Sequence, residues 1–99
     1  MWTEQALKNL LEIKDYISRD SVFYAERVTR QIFDAVQILE EHPEAGKIIQ
    51  KQKQGVLRRL IIKSYRIIYL YRSDVVKVVA VYHQSRQNTD PFDLGEITE

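Results

Sequence analysis

The residues of this chain that could do chemistry are cations, and they come late: Arg58, Arg59, Lys63, Arg66, Arg72, Lys77, His83 and Arg86. A guanidinium beside an imidazole can hold a phosphodiester, stabilise the charge that develops as a ribose 2′-hydroxyl attacks it, and relay the proton. The same side chains, solvated on strands, would only keep a sheet soluble and discourage edge pairing. Tyr65, Tyr69, Tyr71 and Tyr82 are interleaved with them. They can stack on bases, or pack a sheet against helices with their hydroxyls in water. Residue types alone leave both pairs of readings open.

Other chemistries drop out. The chain has no cysteine, so it offers no thiol nucleophile, disulfide or Cys-based zinc site, which suits a reducing cytoplasm. Three glycines form no phosphate-binding loop, and no nucleophile–base motif is present. His42 and His83 have no metal-ligand spacing, so no metal site, cofactor or small-molecule ligand is expected. With no leader-like start and no apolar run near the ~20 residues that span a bilayer, a soluble, unexported, cytoplasmic protein is expected, with no membrane role.

The net charge of +1 conceals a strong division. Residues 1–46 carry five Lys/Arg against nine Asp/Glu, residues 47–86 ten against one, and residues 87–99 none against four. The basic middle favours an anionic partner, unless the acidic helices neutralise it within the fold.

These cations must be carried by a particular set of elements. The 99 residues are one domain's worth, and a hydrophobic fraction of 44% can build a core. Thr3 can cap a first helix whose stripe is Ala6, Leu7, Leu10, Ile13 and Ile17, running to about Arg19. Asp20 and Ser21 can cap a second, with Val22, Ala25, Val28, Ile32, Ala35, Val36 and Leu39 on one face. It stops near His42, before Pro43. Residues 41–55 read as a loop with room for a short strand around Ile48 and Ile49. Then the period becomes two. VLRRLIIK (56–63), YRIIYLYR (65–72) and VVKVVAVYH (75–83) form a β-meander, with Ile67, Tyr69 and Tyr71 on one face and Arg66, Ile68, Leu70 and Arg72 on the other. The tail 87–99 lacks periodicity and basic residues and is expected to be extended or mobile. The fold class is α+β: a helical hairpin on one face of a three- to four-stranded antiparallel sheet.

WTEQALKNLLEIKDYI (2–17), EEHPEAGK (40–47), IIKSYRIIYLYR (61–72) and VVAVYHQSRQ (78–87), in this order, resemble the RelE/ParE superfamily of type II toxins over nearly the whole chain. The resemblance implies a single toxin domain over residues 1–99, a plasmid-stabilisation role and a cognate antitoxin partner. That antitoxin would be an acidic segment laying a helix in a groove or adding a strand to an open edge. Family members carry a short strand before the tryptophan, whereas Trp2 here follows Met1, so a sheet with one strand fewer is expected.

Two mechanisms divide the superfamily. ParE-like members poison DNA gyrase; RelE-like members cut mRNA on the ribosome. For the RelE-like pattern Lys51 and Lys53 stand for loop cations, but Ile61 occupies the place of an arginine and the tail has no tyrosine. A related RNase branch would make Arg66 and His83 catalytic, with the histidine one position out of register, which on a strand reverses its face. The ending V-x-H-x-x-R favours the ParE-like branch, with His83 and Arg86 near the target surface. Lys51, Lys53, Arg58, Arg59 and Arg86 are the candidate contacts to target or RNA. The alternatives are a ribosome-dependent endoribonuclease and an inactive toxin fold that binds only its antitoxin.

Overall fold

A computed structural model describes residues 1–86; the acidic tail 87–99 and the side chain of Arg86 lie outside the described residues. Helix α1 (Glu4–Ser18) opens as expected, with Thr3 Oγ1 accepting from the Ala6 N–H at 3.1 Å. The same hydroxyl donates to the Val78 carbonyl at 2.9 Å, so one buried side chain both caps the helix and ties it to the sheet. Helix α2 (Val22–Glu41) is capped by Ser21 and ends at His42. Ala25, Val28, Ile32, Ala35, Val36 and Leu39 are its buried stripe, recurring at three and four residues.

Four strands follow: β1 (Lys47–Gln52), β2 (Gly55–Ile62), β3 (Tyr65–Arg72) and β4 (Val75–His83). They form an antiparallel meander in the order β1-β2-β3-β4, and the tight turns explain it. Gly55 takes φ +139°, and Lys63, Ser73 and Asp74 accept positive φ at the two later hairpins. No strand precedes α1 among the described residues. Instead Trp2 makes a parallel bridge to Val78, with the Val78 N–H donating to the Met1 carbonyl at 2.8 Å. The N-terminal ammonium donates to the Val76 carbonyl at 3.0 Å. With the Thr3 N–H donating to the Val78 carbonyl at 3.0 Å, Met1, Trp2 and Thr3 cover part of the outer edge of β4.

The helices cover one sheet face. Ile67, Tyr69, Val76, Val78 and Val81 pack there against Ala6, Leu10, Ile32 and Leu39. A second cluster, Leu57, Ile68, Leu70, Val79 and Ala80, lies on the far face. The β3 alternation is thus as the period-two reading has it. The departure is in β4, where Ile68 pairs with Ala80 but Tyr69 pairs with Val78. Val79 is an extra residue, a β-bulge, and every side chain beyond it sits on the face opposite to the one that simple alternation gives.

Candidate functional site

The far face of the sheet carries most of the cations. Cross-strand pairing sets Lys47 against Arg59, Arg59 against Ile68, and Lys77 against Leu70. Arg59, Arg66, Arg72, Lys47 and Lys77 therefore surround the Leu57–Ile68–Leu70 cluster on one surface. Neighbouring strands lie ~4.8 Å apart, so these charges reinforce one another toward an anion. Arg66 is paired with Tyr82. Its Nε and the Tyr82 hydroxyl are both buried, and neither has a hydrogen-bond partner among the described residues. Two orphaned donors side by side are costly unless an acceptor reaches them. The strand residues of this face include no histidine and no carboxylate, so the arrangement suits anion binding better than proton transfer.

His83 is elsewhere. The Val79 bulge turns it to the helix side, opposite Tyr65, whose ring meets the imidazole edge-on with centroids 5.1 Å apart. Its Nδ1 accepts from the Ser85 N–H at 3.0 Å and lies 2.7 Å from Ser85 Oγ. A nitrogen that accepts carries no proton, so the neutral ring is protonated at Nε2. The imidazole lines a cleft of about 580 Å³ between α1 and the end of β4, with Asn9, Glu12, Ile13, Tyr16 and Tyr65. Arg66 and His83, the two catalytic candidates, are therefore not brought together.

The neighbouring arginines of β2 divide in the same way. Arg58 points to the helix side and is committed to the fold: its Nη1 donates to the Gly46 carbonyl at 2.7 Å and to the Glu44 carbonyl at 3.2 Å. Beside it the Tyr69 hydroxyl accepts from the Gly46 N–H at 2.9 Å and donates to the Pro43 carbonyl at 2.7 Å. Burial raises the pKa of this hydroxyl above the usual 10.0, and the Gly46 N–H and the Arg58 charge pull the other way. Tyr69 thus packs a sheet against helices, but its hydroxyl is enclosed rather than in water. Gly46 is required because a Cβ there would lie 2.6 Å from the Tyr69 hydroxyl and 2.9 Å from the Arg59 carbonyl. Arg59, one residue on, stays on the far face.

Lys51 and Lys53 are exposed, at the end of β1 and in the turn after it. They belong to the opposite sheet edge from His83, three strand spacings or roughly 14 Å across the sheet, and to its other end, since Lys51 is in register with Tyr71 and His83 with Tyr65. Arg86 closes a short 3-10 turn (Gln84–Arg86). The Arg66–Tyr82 pair and the contribution of Asn9, whose Oδ1 accepts from the Val81 N–H at 3.2 Å, were not legible beforehand. Nothing in the run VVAVYH marks the bulge that sets both. No group of three potential metal ligands occurs among the described residues, and no helix is long and apolar enough to cross a membrane.

Comparison with known proteins adds identity to this geometry. The family model described as the ParE toxin of the type II toxin–antitoxin system parDE matches residues 1–88. Toxin RelE2 of Caulobacter vibrioides is 32% identical over 87 residues, covering 87% of this chain and 94% of that protein. The protein Y4kP of Sinorhizobium fredii is 34% identical over 87 residues, covering 87% and 88%. Among solved structures, a chain of the chromosomal ParDE system from P. aeruginosa superposes with a TM-score of 0.67 at 15% identity, over 83% of this chain and 90% of that one, a likeness of fold.

Proposed function

Because the chain belongs to the ParE toxin family of type II toxin–antitoxin systems, we propose that it arrests bacterial growth by binding DNA gyrase and is neutralised by a cognate antitoxin. Family membership implies the antitoxin; gyrase is the finer reading. The observation that carries it is the separation of Arg66 from His83 onto opposite sheet faces. An RNase using that pair needs both groups at one phosphodiester, and here the far face holds cations without an imidazole or carboxylate among its strand residues. Such a surface favours binding an anion over chemistry by the Arg66–His83 pair. Its orphaned donors, Arg66 Nε and the Tyr82 hydroxyl, suit a carboxylate supplied by a protein partner. An acidic antitoxin segment laid over Arg59, Arg66 and Lys77 meets the same requirement, with affinity falling as salt rises.

The ribosome reading keeps one support, the similarity to toxin RelE2 of Caulobacter vibrioides. Induced expression separates the two. In one arrested culture, an SOS reporter follows DNA damage and primer extension follows mRNA cleavage. SOS induction with intact mRNA is the expected result. Codon-associated cuts without SOS induction would overturn it, and arrest that survives both Arg66→Ala and His83→Ala would exclude the RNase pair.

A further inference from the structure

The cleft beside His83 is unlike the rest of the sheet. The far face is basic, whereas this cleft is lined by two carboxylates, Glu12 and Asp15, with Arg19, and by Tyr16, Tyr65 and Tyr82. Asp15 is paired with Arg19 at 3.5 Å, and the Arg19 guanidinium lies 5.7 Å from the centroid of the Tyr16 ring. The chain thus places its own arginine against one carboxylate and one ring of the cleft. Glu12 has no ion pair among the described residues.

The cleft also borders a strand edge that the described residues cover incompletely. Met1 to Thr3 take the outward groups of β4 around Val78, and Asn9 Oδ1 takes the Val81 N–H. The Gln84 N–H donates to the Ser64 carbonyl at 2.8 Å, which makes Tyr65 and His83 a non-hydrogen-bonded pair. The His83 N–H and the Val81 carbonyl therefore point away from β3, along the lip of the cleft. An edge with a donor and an acceptor two residues apart is what an extended segment pairs with. The segment's alternate side chains then fall to one side, and the side available here is the cleft.

We propose that this cleft receives an arginine side chain from an extended segment of a partner protein, paired to the β4 edge at Val81 and His83. The guanidinium lies between the Tyr16 and Tyr65 rings and meets the Glu12 carboxylate. Arginine fits better than lysine, since its planar group stacks on rings and meets a carboxylate with two donors. The inference goes beyond the growth-arrest reading and does not depend on which target is hit.

The probe is a blocked peptide, acetyl-Thr-Val-Arg-Val-Thr-amide, titrated into the uniformly 15N-labelled chain. The largest amide shifts are expected at Val81 and His83, with perturbation of the Tyr16 and Tyr65 ring signals. Replacing the peptide's arginine by neutral, near-isosteric citrulline should weaken binding about three- to fivefold, the scale of a partly exposed ion pair. Glu12→Gln, at an exposed helix position that leaves the core intact, should weaken the arginine peptide by the same factor and the citrulline peptide not at all. Shifts confined to the far face, no cleft shifts up to the peptide's solubility limit, or equal binding of the two peptides would each overturn the proposal.

Discussion

Removing one oxygen from Tyr69 should destabilise the protein more than any other conservative change on the sheet. Tyr69→Phe keeps the ring, which is fully buried, and deletes a hydroxyl that serves two backbone groups of the turn between α2 and β1. The Gly46 N–H is enclosed, so losing its acceptor costs about 1–3 kcal/mol. The Pro43 carbonyl is only partly buried and regains some water, which holds its loss to about 0.5–1 kcal/mol. Together these give about 2–4 kcal/mol, which for a domain of this size lowers the melting temperature by roughly 10–20 °C. Tyr71→Phe is the internal control: its hydroxyl bonds Asp74 at 3.2 Å in an exposed turn, and its removal should stay within about 0.5 kcal/mol. Circular dichroism melts of the wild type and both variants decide the matter. A Tyr69→Phe melt within about 3 °C of wild type, or equal effects of the two changes, would show that water replaces the hydroxyl and that the turn is not locked from below.

Gly46→Ala should be at least as damaging as Tyr69→Phe, because the new methyl meets the Tyr69 hydroxyl at 2.6 Å and the Arg59 backbone at 2.9 Å; the yield of folded protein and the urea midpoint report it. Thr3→Ala removes a cap and a tie to Val78 at once and should cost about 1–2 kcal/mol in chemical denaturation. Arg58→Gln and Arg59→Gln should separate cleanly: the first lowers the melting temperature, while the second leaves it unchanged and weakens antitoxin binding in calorimetry. Alkaline pH should unfold the chain with Tyr69 as a participant. Its folded-state pKa is raised above the unfolded 10.0, so the stability it contributes is complete below pH 10 and is lost as pH climbs through the folded value. A pH melt followed by tyrosinate absorbance checks this, and the transition should lose that component in Tyr69→Phe.

Much of the fold was legible because its determinants are local. Thr3 and Ser21 are capping residues at the start of amphipathic stripes, and both act as caps. In β3 the alternation of Ile67, Tyr69 and Tyr71 against Arg66, Ile68 and Leu70 is strict enough to assign faces, and the two clusters follow it. The candidate site was less legible because its determinants are pairings. In β2 apolar residues flank the two arginines on both parities, Val56 with Leu57 and Ile61 with Ile62, so only register with β3 tells Arg58 from Arg59. In β4 the run Val78, Val79, Ala80, Val81 has no polar residue to mark phase, and the bulge at Val79 went unseen. The resemblance to an RNase branch names Arg66 and His83 together, with the histidine one position out of register, and the pairing of β3 with β4 sets the two on opposite faces.

The bulge gives this small domain a spare residue in β4. In a regular strand, loss of one codon turns every later side chain to the other face. Loss of the codon for Val79 does not: it leaves Ile68 opposite Ala80 and Tyr69 opposite Val78, restores plain alternation, and keeps Tyr82 beside Arg66 and His83 on the helix side. The faces of these residues are therefore set by the ladder with β3 and not by the number of residues that precede them, and a lineage can shorten this strand by one residue without rearranging either surface.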